Sequence, residues 1–191
     1  MKRLIDYFVT IALFSTMTPS ASKSEAFSFG EEVLPPFAHT VFCQTYPVDC
    51  ERSRSAKPFP NTAARRAELD TVNRQVNGSI APETKEVSDI VKHWRLAPPK
   101  GNCSDYAVTK RHDLLQKGWS SSSLLLAEVT LKIGEHHLIL VVRTAGGEFV
   151  LDNLDQNVLS LAEARKRYVW NRIESPIDPK RWNRPNIEPK K

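Results

Sequence analysis

Ser123-Leu124-Leu125-Leu126-Ala127-Glu128-Val129-Thr130-Leu131-Lys132-Ile133, His137-Leu138-Ile139-Leu140-Val141-Val142-Arg143-Thr144, then Ala145-Gly146-Gly147 and Glu148-Phe149-Val150-Leu151-Asp152-Asn153-Leu154 together decide the fold. The first run alternates in part, with Leu125, Ala127, Val129, Leu131 and Ile133 two apart, the period of a strand. The second is a nearly unbroken series of Leu, Ile and Val. The glycine pair between the second and third runs reads as a hairpin turn, so Glu148–Leu154 reads as the returning strand. Further on, Ser160-Leu161-Ala162-Glu163 has the capping-box pattern that opens a short helix. Tyr168–Ile173 reads as a final strand.

Upstream of this stretch the period changes to that of a helix. Over residues 62–77, Leu69, Val72 and Val76 fall on one face, and Gly78 is a reasonable stop. Over residues 84–95, Val87, Ile90, Val91 and Trp94 share a face, and Pro98-Pro99 cannot continue the ladder. After the loop Lys100-Gly101-Asn102, a third helix runs from Cys103 to about Lys117, stopped by Gly118. Helices first and an antiparallel sheet afterwards predict an α+β domain with helices packed on the sheet. Residues 27–60, rich in proline and aromatics, read as a strap over the core. Residues 27–175 form the expected domain, and the polar, basic, proline-bearing residues 176–191 an extended tail.

The N-terminus carries a different signal. Met1-Lys2-Arg3 is a short basic region, and Tyr7–Met17 is mostly apolar but too short to span a bilayer. Pro19-Ser20-Ala21 and Ser24-Glu25-Ala26 follow as small-residue cleavage sites. Residues 1–26 read as a secretory signal peptide, which predicts a periplasmic or secreted protein. No later stretch approaches the roughly 18 apolar residues of a membrane helix. Of the 191 residues, 40% are apolar and 26% charged, the balance of a globular domain with a real core. The net charge of +5 is spread along the chain rather than gathered in a stripe with exposed aromatics, which argues against nucleic acid. Cleavage after Ala26 removes three basic and two acidic residues and leaves +4.

Export changes how the three cysteines read. Cys43 and Cys50 flank the turn-like Gln-Thr-Tyr-Pro-Val-Asp, and a short-loop disulfide between them is the natural pairing in an oxidising compartment. That leaves Cys103 odd, as a buried thiol, an intermolecular link or a reactive group. Its place favours reactivity. At the first turn of a helix, unpaired N–H groups and the positive end of the dipole favour a thiolate and could hold an oxyanion.

A cysteine nucleophile needs a base. His136 and His137 open an apolar strand, and adjacent strand residues face opposite sides, so only one can meet Cys103. Periodicity does not choose between them. His112 lies too far along the Cys103 helix to reach back, and His93 reads as a surface position. An orienting group is also needed. Asp152 lies on the strand paired with the histidine strand, where cross-strand side chains stand about 5 Å apart. A carboxylate flanked by Val150, Leu151 and Leu154 is costly without a partner. Zinc on Cys103, His137 and Asp152 would lack any close ligand pair such as Cys-x-x-Cys.

Gly101-Asn102-Cys103-Ser104-Asp105-Tyr106-Ala107, with Lys110-Arg111, Leu114 and Gly118-Trp119, resembles the nucleophile segment of bacterial transglutaminase-like cysteine proteinases. Glu135-His136-His137-Leu138-Ile139-Leu140 resembles their histidine strand and Leu151-Asp152-Asn153-Leu154 their aspartate strand. Phe42-Cys43, Pro47, Asp49 and Cys50, and Val72-Asn73, resemble the N-terminal segment of short members. The resemblance runs from about Pro35 to Ser175. It implies a papain-like core with Cys103 as nucleophile, His137 as base and Asp152 as orienter. It also implies a protein or peptide substrate such as a surface adhesin, and for some members calcium. Asn102 and Ser104 stand where the family carries acidic residues, which leaves Asp105 as the one calcium candidate, or as an electrostatic cap of its helix. The implied reaction is hydrolysis through a thioester. The alternatives are an inactive peptide-binding module of the same fold and a transglutaminase acting on an amine acceptor.

Overall fold

In the computed structural model, residues 27–83 and 93–186 are described. The chain begins with strand β1 (Ser28–Val33), helix α1 (Phe37–Thr45) and a 3-10 turn (Pro47–Cys50). It continues through α2 (Ala63–Ser79), the two-residue strands β2 (Ala81–Pro82) and β3 (Lys100–Gly101), and α3 (Cys103–Gln116). The second half holds β4 (Leu124–Leu131), β5 (His136–Thr144), β6 (Gly147–Leu151), β7 (Leu159–Ser160), α4 (Leu161–Arg167), β8 (Tyr168–Glu174) and β9 (Trp182–Asn186).

Among the described residues, seven strands make one sheet in the order β1-β9-β8-β4-β5-β6-β7, every pairing antiparallel. Both faces are covered. One apolar cluster joins Leu124, Leu126, Leu138, Leu140 and Leu151 to Leu69, Val72 and Val76 of α2 and to Val108 and Leu114 of α3. A second joins Leu125, Ala127, Val129, Ile139, Val141 and Val150 to Leu161 and Ala164 of α4. A sheet buried on both sides has no polar face, which is why Leu124–Ala127 and Leu138–Val142 read as apolar runs rather than clean alternation. Among the described residues, no helix is long and apolar enough to cross a membrane.

A buried polar network locks α3 to the sheet. Arg111, 1% exposed, donates from Nε to the carbonyl of Leu124 at 3.0 Å and lies 3.5 Å from Glu174. Glu174 also accepts from the Leu126 N–H at 2.9 Å and pairs with His39 at 2.9 Å. His39 in turn accepts from Trp182 Nε1 at 3.3 Å.

Several expectations are corrected. Residues 27–60 are not a bare strap but supply β1 and α1, although the Cys43–Cys50 disulfide does pin them. The helix expected over 84–95 falls on residues 84–92, outside those described, and His93-Trp94-Arg95 is not helical. Trp94 is instead buried against Phe42. Helix α2 runs through Gly78 to Ser79. Tyr168–Glu174 is not the last strand. The stretch expected as a tail contributes β9, which sits between β1 and β8 and buries Trp182 completely. Residues 1–26, expected as a signal peptide, lie outside the described residues.

Candidate active site

Cys103 is the first residue of α3, and the helix begins there for local reasons. Asn102 Oδ1 accepts from the Ser104 N–H at 3.0 Å, and Asp105 Oδ2 accepts from the Asn102 N–H at 3.1 Å, a reciprocal cap. The thiol therefore sits at the turn whose N–H groups have no intrahelical acceptor. Cys103 is half-buried and stands outside the Cys43–Cys50 disulfide.

His137 comes from the start of β5 and is 6% exposed. Its Nε2 lies 2.7 Å from Asp152 Oδ1, and the ring is also hydrogen-bonded to Cys103. With Nε2 given to the carboxylate, Nδ1 is the nitrogen left for the thiol. Burial opposes a charge on this ring, but the bonds to Asp152 and Cys103 outweigh it and hold the imidazole at about 9. His136, its neighbour, is exposed and pairs with Glu128 at 3.1 Å. The strand thus separates the two histidines as alternation requires, and the structure brings His137 rather than His136 to Cys103.

Asp152 is 1% exposed and lies just past the end of β6, not within it as expected. The β5–β6 ladder reaches from Thr144↔Gly147 to Leu140↔Leu151, so Asp152 meets His137 beyond the last paired residues. Its turn is held from α2. Asn77 Nδ2 donates to the carbonyls of Asp152 and Asp155 at 3.0 Å each, and Asn73 Nδ2 to that of Asp155 at 2.9 Å. The Leu154 N–H donates to Asp152 Oδ1 at 3.0 Å, and the Tyr168 hydroxyl donates to Oδ2. Burial raises this carboxyl, but His137, Tyr168 and the Leu154 N–H together bring it below the ordinary range. Lys110, fully buried on α3, feels the same carboxylate. Burial drives its ammonium down to about 7, against the pull of Asp152.

The carboxylate considered for calcium is already engaged. Asp105 is 1% exposed, accepts from the Arg95 N–H at 2.8 Å on Oδ1, and receives Arg95 NH2 at 2.8 Å on Oδ2. With Asn102 and Ser104 neutral beside it, these residues do not fit a calcium site, which needs several charged oxygens free to turn to the ion. His112, too far from Cys103, pairs with Asp49 at 3.0 Å.

The sequence profile of the bacterial transglutaminase-like cysteine proteinases (BTLCP) matches residues 29–189. The chain belongs to this family. Its mixed fold and large antiparallel sheet are those described above, and the family is one of cysteine proteinases. Two solved structures of LapG from Legionella pneumophila are similar to it. The calcium-bound form gives a TM-score of 0.51 at 21% identity over 60% of this chain and 66% of that one. A second LapG structure gives 0.50 at 20% identity over 60% and 65%. The chain therefore spans just under two thirds of LapG, and the likeness bears on the fold. No curated protein sequence matches it.

The resemblance pointed to Cys103, His137, Asp152 and the cysteine pair. It does not include Tyr168 or Arg95, and it includes Lys110 without giving it a role. Tyr168 opens the strand expected over Tyr168–Ile173 and Arg95 ends the helix expected over 84–95, and only tertiary contact reveals what they hold.

Proposed function

We propose that the chain is an exported cysteine peptidase that hydrolyses a peptide or amide bond of an envelope or surface protein, with Cys103 as nucleophile, His137 as base and acid, and Asp152 as orienter. The hydrogen-bonded series Cys103–His137–Asp152–Tyr168 is the observation that carries this reading. The Cys103 thiol gives its proton to His137, and the thiolate attacks the substrate carbonyl. The α3 N-terminus faces the negative oxygen of the tetrahedral intermediate. His137 then returns the proton to the departing amine, leaving a thioester. Water attacks the thioester, loses its proton to the imidazole and releases the acid, and the sulfur recovers its proton. Asp152, fixed by Tyr168 and the Leu154 N–H, keeps the ring in one tautomer throughout. No cofactor enters these steps.

Processing after Ala26 is part of the same reading. It would make Phe27 the first residue, and Phe27 already has a seat. Its ring meets Trp170 edge-on at 4.7 Å, and its backbone nitrogen donates to buried Glu148 at 2.9 Å. An ammonium there would face a carboxylate that burial otherwise pushes up. The mass of the exported protein should correspond to a chain starting at Phe27; a start at Ser22 would remove this support.

The test of activity is incubation of the processed protein with a surface adhesin of its own host, the products being read by mass spectrometry. One new cleavage, absent with Cys103→Ala and His137→Ala, is expected. Cleavage that persists in Cys103→Ala contradicts the proposal.

A further inference from the structure

Arg95 is where this chain's nucleophile loop departs from a metal-supported design. Its guanidinium lies 2.8 Å from Asp105 Oδ2 and 3.0 Å from Glu83 Oε2, and it donates to the Lys100 carbonyl at 3.2 Å. Its own N–H fills Asp105 Oδ1 at 2.8 Å. One residue thus links β3, the carboxylate that caps α3, and Glu83 just beyond β2. The Glu83 N–H donates to the Gly101 carbonyl at 2.9 Å, so the same ring of contacts closes on the residue two before Cys103. Packing is tight. A Cβ added at Gly101 would stand 2.7 Å from Asp105 Oδ2 and 3.1 Å from Ile80 Cγ2. Asp105 is thus held against the loop with no room for a larger residue at position 101.

A buried carboxylate at the first turn of α3 needs a positive partner, or it works against a thiolate at Cys103. A divalent cation is one solution, and it requires several charged oxygens. Here Asn102 and Ser104 contribute no charge, while a planar guanidinium meets the carboxylate with a directed hydrogen bond. We propose that Arg95 is a positioning residue that does a cation's work here, fixing the loop before Cys103 and making calcium dispensable to it. This rests on Cys103 being the nucleophile. Arg95 touches no reacting atom; it acts through Asp105 and Asn102.

The experiment has two arms. In the first, the processed wild-type protein is titrated with calcium chloride by calorimetry, and Cys103 labelling by iodoacetamide is timed in EGTA and in millimolar calcium. No saturable heat is expected, and labelling rates should agree within about twofold. Saturable binding, or labelling that slows in EGTA, overturns the proposal. In the second arm, Arg95→Gln leaves Asp105 charged and unneutralised and should slow labelling at neutral pH by about tenfold. Adding Asp105→Asn removes the charge but keeps an acceptor for the Asn102 N–H, and should recover most of that loss. Wild-type labelling by Arg95→Gln, or a double variant no faster than the single, contradicts the positioning role. If Arg95→Gln does not fold, the calcium arm alone decides. Wild-type labelling no faster than an ordinary thiol in either buffer would sink the nucleophile reading and the positioning role with it. Calcium binding would sink only the substitution of arginine for the ion.

Discussion

His137 is held between an acid and a thiol, and its raised value of about 9 follows from both. The sign has consequences. The ordinary imidazole titrates near 6.5, so the stability that this pairing adds is complete below that value and is lost as pH rises through about 9. Asp152 is lowered, so its contribution is present above the ordinary 3.8 and fades only as pH falls through its depressed value. In the proposed mechanism His137 carries a proton to the leaving amine, so peptidase activity should fall on the alkaline side near pH 9. Asp152→Asn should move that limb down toward 6.5, as pH–rate profiles of the two proteins will show. An unmoved limb would mean that Asp152 does not tune the ring. Lys110 makes the opposite case. Among the described residues its Nζ has no hydrogen-bond partner, and burial disfavours its charge. Lys110→Met should therefore stabilise the fold by about 1–3 kcal/mol. The gain should be largest below pH 7 and fade toward the ordinary 10.5. Urea titrations at both ends of that range measure it, and a loss of stability at pH 6 would show the charge to be structurally needed.

At the scale of elements, legibility followed the source of each element's stability. Helices α2 and α3 and strands β4, β5 and β6 carry their periodicity in their own residues, and the sequence places them within a few residues. Strand β9 does not. Trp182-Asn183-Arg184-Pro185-Asn186 has no apolar alternation and contains a proline, yet it pairs on both sides because Trp182 fills the core and meets His39. Asp152 shows a related effect. The apolar residues around it continue the strand pattern, but the turn held by Asn73 and Asn77 ends the ladder at Leu151. The choice between His136 and His137 was equally out of reach of periodicity. Family resemblance supplies it. Trp182→Ala should cost about 3–5 kcal/mol. Removing everything after Ser175 should prevent folding, because β1 would lose its neighbour. Circular dichroism melts of the two proteins test this, and a truncated chain that melts like the whole one would show β9 to be dispensable.

For the whole molecule, the sheet, the α3 N-terminus and the 152–156 turn converge on one half-buried thiol. In the proposed mechanism, a packed scaffold with this geometry holds the reacting groups of acyl transfer in place. The most direct measurement is the pH dependence of iodoacetamide labelling at Cys103, in the processed protein and in His137→Ala. Labelling that proceeds well below the roughly pH 8.5 of an ordinary thiol, with that advantage lost in His137→Ala, is the result predicted. An unreactive Cys103, or identical profiles for the two proteins, would contradict the catalytic pair and leave a peptide-binding module of the same fold.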